Sequence, residues 1–291
     1  MAQTTKKKRK KKKKQAPRQP IYMVLILLVS VAVGLTLLIK LLPHSSPEEP
    51  EVSQAPTVSV APTLPPSTLS PQGFGTENGY KTYGDGTTTA QLGLDVSSHQ
   101  GWIDWQAVAD SDVDYVILRA GYRGYGSGSI HQDEYFEYNI SAATATDLGV
   151  GIYFFSQAMN KEEAAAEAHT VLSLIEGYDI DFPIYFDWEP VSDEVARTAS
   201  ISATEVTACA QEFCRIIQEA GYRAGVYFNL SIAAHYYHLQ DLMDYEFWLA
   251  EYQETPTFPY QFGMWQYTAS GTVPGIDTDV DINLSFRSYG S

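Results

Sequence analysis

Residues 182–189 read FPIYFDWE, an apolar and aromatic run of one strand's length that ends on two acids spaced two apart. Continuous apolar character, as opposed to strict alternation, marks a strand covered on both faces, which is the habit of parallel sheets. Side chains two apart share a face of a strand, so Asp187 and Glu189 project together while Trp188 turns the other way. Outward from this segment the same kind of run recurs as LGLDV (92–96), YVILRA (115–120), VGIYFF (150–155), AGVYF (224–228) and FWLAEY (247–252). Helical stretches lie between them, the clearest being KEEAAAEAHTVLSLIE (161–176) and ATEVTACAQEFCRIIQEA (203–220). Ser202 with Glu205 makes a capping box for the second, and Gly177 and Gly221 stand where helix ends favour glycine. Buried strands separated by helices predict an α/β fold, a closed or nearly closed TIM-type (β/α) barrel in preference to an open doubly wound sheet. The glycine-rich GYRGYGSG (121–128) follows a strand but opens no helix, so it reads as a loop and not as a phosphate cradle.

Functional side chains of such a barrel gather at the C-terminal ends of its strands. Those ends carry Asp95, Arg119 with Tyr122, Phe155 with Ser156, Asp187 with Glu189, Tyr227 with Asn229, and Glu251 with Tyr252. Neighbouring carboxylates raise one another's pKa, which keeps one of them protonated near neutrality as a general acid. Glycoside hydrolysis needs that acid, and a second group, either a carboxylate or the substrate's own acetamido oxygen, to meet the oxocarbenium-like charge. Pyranose rings stack on flat aromatic faces, which makes Tyr153, Phe155, Tyr227, Trp248, Tyr252, Trp265 and Tyr267 candidates for substrate contact, with core packing the competing reading for each. Arg119 is placed to hold a carboxylate of the cluster or to meet an acidic substituent of the substrate. His99 beside three acids has neither an HExxH pattern nor a second nearby histidine, so no metal and no cofactor is expected, and His99 is read as a brace for the first loop.

The chain carries 19 Lys and Arg against 35 Asp and Glu, yet ten of the bases fall within residues 1–20. That arm, with Lys6 to Lys8, Arg9, Lys10 to Lys14 and Arg18, precedes IYMVLILLVSVAVGLTLLI at 21–39, about the length of apolar chain needed to cross a bilayer. A cleaved signal peptide has a shorter apolar region, so an uncleaved span over 21–42 is expected, with the basic arm in the cytoplasm and the rest of the chain in the cell's exterior. Anionic lipid explains the lysines at that position better than nucleic acid does. Residues 43–90 are expected to be a linker, Pro-, Ser- and Thr-rich to about residue 72 and then, over 73–89, either more linker or a docked lead-in. From Leu92 onward there are 30 acids against seven bases, near −23, which excludes nucleic acid as a partner. Cys209 and Cys214, five apart on a helix, are separated by roughly 7.5 Å along its axis, beyond the Cα spacing of a disulfide. They are expected as buried, unpaired thiols.

Taken in series, DVSSHQG (95–101), IDW (103–105), VILRAGYRG (116–124), YFFS (153–156), YFDWE (185–189), GVYFN (225–229), FWLAEY (247–252), MWQY (264–267) and VDIN (280–283) resemble glycoside hydrolase family 25, the bacterial, phage and fungal lysozymes. The resemblance covers nearly all of the expected catalytic domain, residues 91–291. It implies a barrel of eight strands with only about five helices, and cleavage of the β-1,4 bond from N-acetylmuramic acid to N-acetylglucosamine in peptidoglycan glycan strands. Matched motif by motif, Glu189 is implied as the general acid and Asp187 as the group that orients the substrate acetamide. Asp95 and Asp281 complete an acidic mouth, and Gln266 and Asn229 join the implied substrate contacts. A silent wall-binding module and a hydrolase of another N-acetylated glycan are the competing readings, and retention or inversion is left open.

Overall fold

The computed structural model describes residues 63–193 and 196–289. The basic arm, the span expected at 21–42 and the linker as far as residue 62 lie outside the described residues. Among the described residues no helix is long and apolar enough to cross a membrane.

Eight strands close on themselves: β3 (Gln91–Val96), β4 (Tyr115–Arg123), β6 (Gly149–Ser156), β7 (Ile184–Trp188), β8 (Ala224–Asn229), β9 (Glu246–Ala250), β10 (Met264–Gly271) and β11 (Val280–Ser285). Seven run parallel, and β11 pairs antiparallel with both β10 and β3 to complete the ring. The short connection over 272–279 explains the reversal, because a parallel return needs a crossover of a dozen or more residues. Five α-helices accompany the described strands: α1 (Trp105–Ala109), α2 (Phe136–Ala143), α3 (Lys161–Leu174), α4 (Ala203–Glu219) and α5 (Leu230–His235). The capping box of Ser202 and Glu205 is formed in full, and Gly221 follows α4 with φ 94°. Cys209 and Cys214 are free and buried on α4.

Strand periodicity divides the core in two. Tyr115, Ile117, Tyr185, Tyr227, Trp248 and Met264 fill the inside of the barrel. The alternate residues, such as Val116, Leu118, Phe186, Trp188, Val226 and Trp265, pack outside it. Large inward rings require bare backbone opposite them. A Cβ on Gly93 would lie 2.2 Å from the Tyr115 ring, and one on Gly225 2.4 Å from Tyr185, so either alanine would overpack the barrel interior.

Two segments differ from the sequence expectation. GYRGYGSG is not a plain loop, since β4 continues through Arg123 and turns back as β5 (Ile130–Gln132), antiparallel to it. The stretch left between linker and lead-in is a folded hairpin of β1 (Phe74–Glu77) and β2 (Tyr80–Tyr83), and the linker expectation for 43–90 fails from residue 63 onward. Leu64 is buried, Ser67 N–H donates to the Pro259 carbonyl, and Pro66 bridges Tyr260. The physical reason lies in the missing helices. With little chain between β9, β10 and β11, the outer apolar face of these strands needs another cover, and the hairpin supplies it. Phe74 meets the Trp265 ring edge-on at 5.5 Å, Tyr83 meets Phe286 at 5.3 Å, and Tyr80 Oη donates to the Thr272 carbonyl.

Candidate active site

The C-terminal ends of the parallel strands and the N-terminal end of β11 surround a cavity of about 310 Å³ that holds Asp95, Asp187, Glu189 and Asp281. Reversal of β11 is what brings the last of these in. Asp281 is the second residue of that strand, at the rim, directly across from Asp95 in the β3–β11 register. Asp187 lies between Phe155 and Tyr227 on the neighbouring strands, and Glu189 follows one residue beyond the end of β7.

Asp95 is held by a chain of donors whose polarity is fixed from outside. The Trp248 indole can only donate, and its Nε1 bonds Asn283 Oδ1 at 2.8 Å. The Asn283 amide nitrogen must therefore face Asp95 Oδ2, which it does at 2.8 Å. Tyr252 and Tyr227 likewise give their hydroxyl protons to Gln266 Oε1 at 2.8 and 3.2 Å. Gln266 Nε2 then donates to the same Asp95 oxygen at 2.8 Å. Asp187 differs: it lines the cavity, and its Oδ1 is buried with no hydrogen-bond partner among the described residues, an unsatisfied acceptor whose cost a hydrogen-bond donor would relieve.

Electrostatics follow from burial and from like charge. Burial and the Asp281 charge push Asp95 well above the usual carboxylate range, against the pull of the two amides. Burial and the Glu189 charge do the same to Asp187, opposed by Arg119. Glu189 is raised by burial and then by Asp281, and burial takes Asp281 up to about 6. A cluster of this kind stores protons near neutrality, which is what a general acid requires.

The same shifts predict a stability signature. An acid whose folded pKa lies above its unfolded one binds more protons when folded, so its contribution is lost as pH rises from the unfolded value, 3.8, through about 6. Asp281→Asn is therefore expected to raise Tm relative to wild type at pH 7 and to show little of that gain at pH 4. Equal differences at the two pH values would remove ionisation of Asp281 as the cause.

Of the candidates from the sequence, Arg119, Tyr153, Phe155, Tyr227, Trp248, Tyr252 and Gln266 line the cavity with the four acids. Three do not. Trp265 and Tyr267 flank Gln266 on β10, and since alternate residues face opposite ways, an inward Gln266 puts both outside the barrel. Trp265 Nε1 is used on the Glu251 carbonyl, and Tyr267 Oη accepts the Lys81 N–H. Asn229 caps α5, accepting from Ile232 N–H. Arg119 lines the cavity but pairs with none of the four cluster carboxylates. Its guanidinium pairs with buried Asp133 and donates to Ser98 Oγ, pinning the loop after β3. His99 lines the rim, exposed, and the bracing expected of it is done by Arg119 and Asp133.

Two supporting residues escaped the sequence reading. Asn283 lies within VDIN (280–283), and its period-2 relation to Asp281 is the signal that marks it. Gln157 donates to the Glu189 carbonyl at 2.8 Å and accepts from Thr198 Oγ1 at 2.6 Å, tying the acid's backbone to the loop that precedes α4. Nothing in a single sequence marks that contact.

Comparison with known proteins gives a consistent picture. The family model for glycosyl hydrolases family 25 matches residues 94–276. Lysozyme M1 of Streptomyces globisporus is 26% identical over 227 residues, covering 73% of each chain. YegX of Escherichia coli K12, an uncharacterized protein, is 26% identical over 203 residues, covering 66% of this chain and 68% of its own. The modular autolysin LytC of Streptococcus pneumoniae, solved with a synthetic peptidoglycan ligand, superposes with a TM-score of 0.62 at 26% identity, over 73% of this chain. This chain spans about half of LytC, 52% of its length.

Proposed function

Since the chain belongs to glycosyl hydrolases family 25, we propose that it is a muramidase, hydrolysing the β-1,4 bond from N-acetylmuramic acid to N-acetylglucosamine in peptidoglycan. The observation that carries this reading is the pair at the end of β7, a proton-holding Glu189 beside a buried Asp187 with one bare acceptor oxygen. In the proposed reaction Glu189 protonates the glycosidic oxygen as the C–O bond breaks. Asp187 accepts the N–H of the muramyl 2-acetamido group, whose carbonyl oxygen attacks the anomeric carbon to give a cyclic oxazolinium. Water, deprotonated by the Glu189 carboxylate, then opens the ring. Asp95 and Asp281 add negative potential to a mouth in which positive charge develops. The test is release of reducing ends from purified peptidoglycan with mass spectrometry of the products. Muropeptides ending in reducing N-acetylmuramic acid are expected. Reducing N-acetylglucosamine ends, or cleavage of chitin oligomers alone, would reassign the bond, and no release at all would leave a wall-binding module.

The same reading includes tethering to the membrane by residues 21–42 with the folded domain outside the cell, supported by the apolar run and the basic arm before it. Protease added to intact cells is expected to free the domain by cutting within residues 44–62, where composition is rich in Pro, Ser and Thr. Residues 63–72 are expected to resist, since that part is docked on the barrel. Loss of the N-terminal arm with the domain protected would invert the orientation.

A further inference from the structure

The catalytic mouth is small for a polymer. At about 310 Å³ it lies at the lower end of the range for small-ligand sites, so a glycan strand cut there must continue along the surface on either side. Tyr252 marks one exit. It is 53% exposed, its hydroxyl is fixed on Gln266, and it walls both the mouth and a second cavity of about 830 Å³. That second cavity is bounded by Thr76 and by Asn78 to Lys81 of the hairpin, by β10 from Tyr267 onward, and by Gln253 and Glu254. The family match begins at residue 94, so the hairpin wall is an addition outside it.

The cavity holds one cation on a firm base. The Lys81 N–H donates to Tyr267 Oη, and its side chain reaches over the Trp265 ring, with Nζ 5.9 Å from the centroid. Its ammonium donates to the Glu254 main-chain carbonyl at 3.0 Å and pairs with the Glu254 carboxylate at 2.9 Å, but the two ends of that ion pair are unlike: the Lys81 side chain is 18% exposed and that of Glu254 99%. An ion pair to so exposed a carboxylate is worth little and exchanges readily with another anion. Arg119, the cation of the mouth itself, is committed to buried Asp133. The chain is otherwise strongly acidic, and a base set beside the path of an acidic polymer, with a loose counter-ion, is suited to recognise a carboxylate.

We infer that the hairpin-walled groove is an additional substrate subsite, which holds the glycan strand beyond Tyr252 and reads a muramyl carboxylate with Lys81. This rests on the muramidase reading and extends it to substrate length and charge. The carboxylate has two sources, the stem peptide or, on glycan stripped of peptide, the lactyl group itself.

The test compares wild type, Lys81→Met and Lys81→Arg in the full chain on three substrates: a muramyl tetrasaccharide, long glycan strands bearing stem peptides, and long strands from which an amidase has removed the peptides. The readout is the ratio of kcat/KM on long strands to that on the tetrasaccharide. Lys81→Met is expected to lower that ratio by about tenfold, the size of one charge-assisted hydrogen bond, and Lys81→Arg to recover most of it. A drop confined to peptide-bearing strands identifies the stem-peptide carboxylate, and a drop on stripped strands the lactyl one. An unchanged ratio in Lys81→Met overturns the subsite, and so does an equal fall on short and long substrates, which would reduce Lys81 to a structural role. Failure of the underlying reading is seen separately, as absence of turnover by wild type on every muramyl substrate, and it removes the subsite with it.

Discussion

Replacing Glu189 with glutamine is expected to abolish cleavage while leaving the fold intact, with turnover reduced by roughly 10² to 10⁴. The amide preserves volume and the backbone contact with Gln157, which goes to the Glu189 carbonyl and not to its side chain. It removes the one thing the mechanism asks of this position, a transferable proton. Glu189 is suited to the role because burial and the Asp281 charge both favour its neutral form. Wild-type activity should accordingly fall as pH rises through that raised pKa, and Asp281→Asn, by removing the neighbouring charge, should move this alkaline limb to lower pH. Circular dichroism and Tm measured beside the assay separate loss of chemistry from loss of structure. Clearance of peptidoglycan by Glu189→Gln at more than a tenth of the wild-type rate would place the acid elsewhere.

The parts of the fold that were legible in the sequence were those where periodicity and burial coincide. FPIYFDWE announced a doubly covered strand because both of its faces are in fact apolar, one toward the barrel interior at Tyr185 and one toward α4 at Phe186. Ser202 and Glu205 announced the start of α4 because capping is a local transaction between neighbouring residues. What was not legible depended on contacts distant in sequence. The hairpin at 74–83 is too short and too polar to signal burial by itself, and it folds because Trp265 and Phe286, far along the chain, need cover. The site shows the same division. Asp187 and Glu189 follow from spacing, whereas Trp265 and Tyr267 of MWQY face away from the mouth that Gln266 lines, since only alternate residues of a strand point inward. Asp133 could not be found at all, since its role is to neutralise Arg119 across a loop.

Asp187→Asn is the substitution that distinguishes the mechanisms still available to this carboxylate, and a loss of roughly 10² to 10³ in kcat is expected if it stabilises developing charge. In the free enzyme Asp187 is disfavoured as an anion by burial and by Glu189, and its Oδ1 is without a partner. In the proposed mechanism the substrate supplies first the acetamide N–H and then, as the ring closes, a positive oxazolinium against this carboxylate. The carboxylate is thus better matched to the transition state than to the resting site, which is the condition for catalysis as opposed to mere binding. An asparagine keeps the shape and can still accept one hydrogen bond, but it carries no charge to set against the cation. A thiazoline analogue of the cyclised intermediate should therefore bind wild type more tightly than Asp187→Asn, while a reaction product, which has no positive charge on the ring, should bind the two about equally. If the attacking oxygen belongs to the substrate, as proposed, 2-fluoro sugars that trap carboxylate nucleophiles should label no residue, and the first-formed product should retain the anomeric configuration by NMR. A stable adduct on Asp187 in peptide mass spectra would make it the nucleophile. An inverted product would instead require water to attack directly, with Asp95 or Asp281 as the base, and substrate assistance would be discarded.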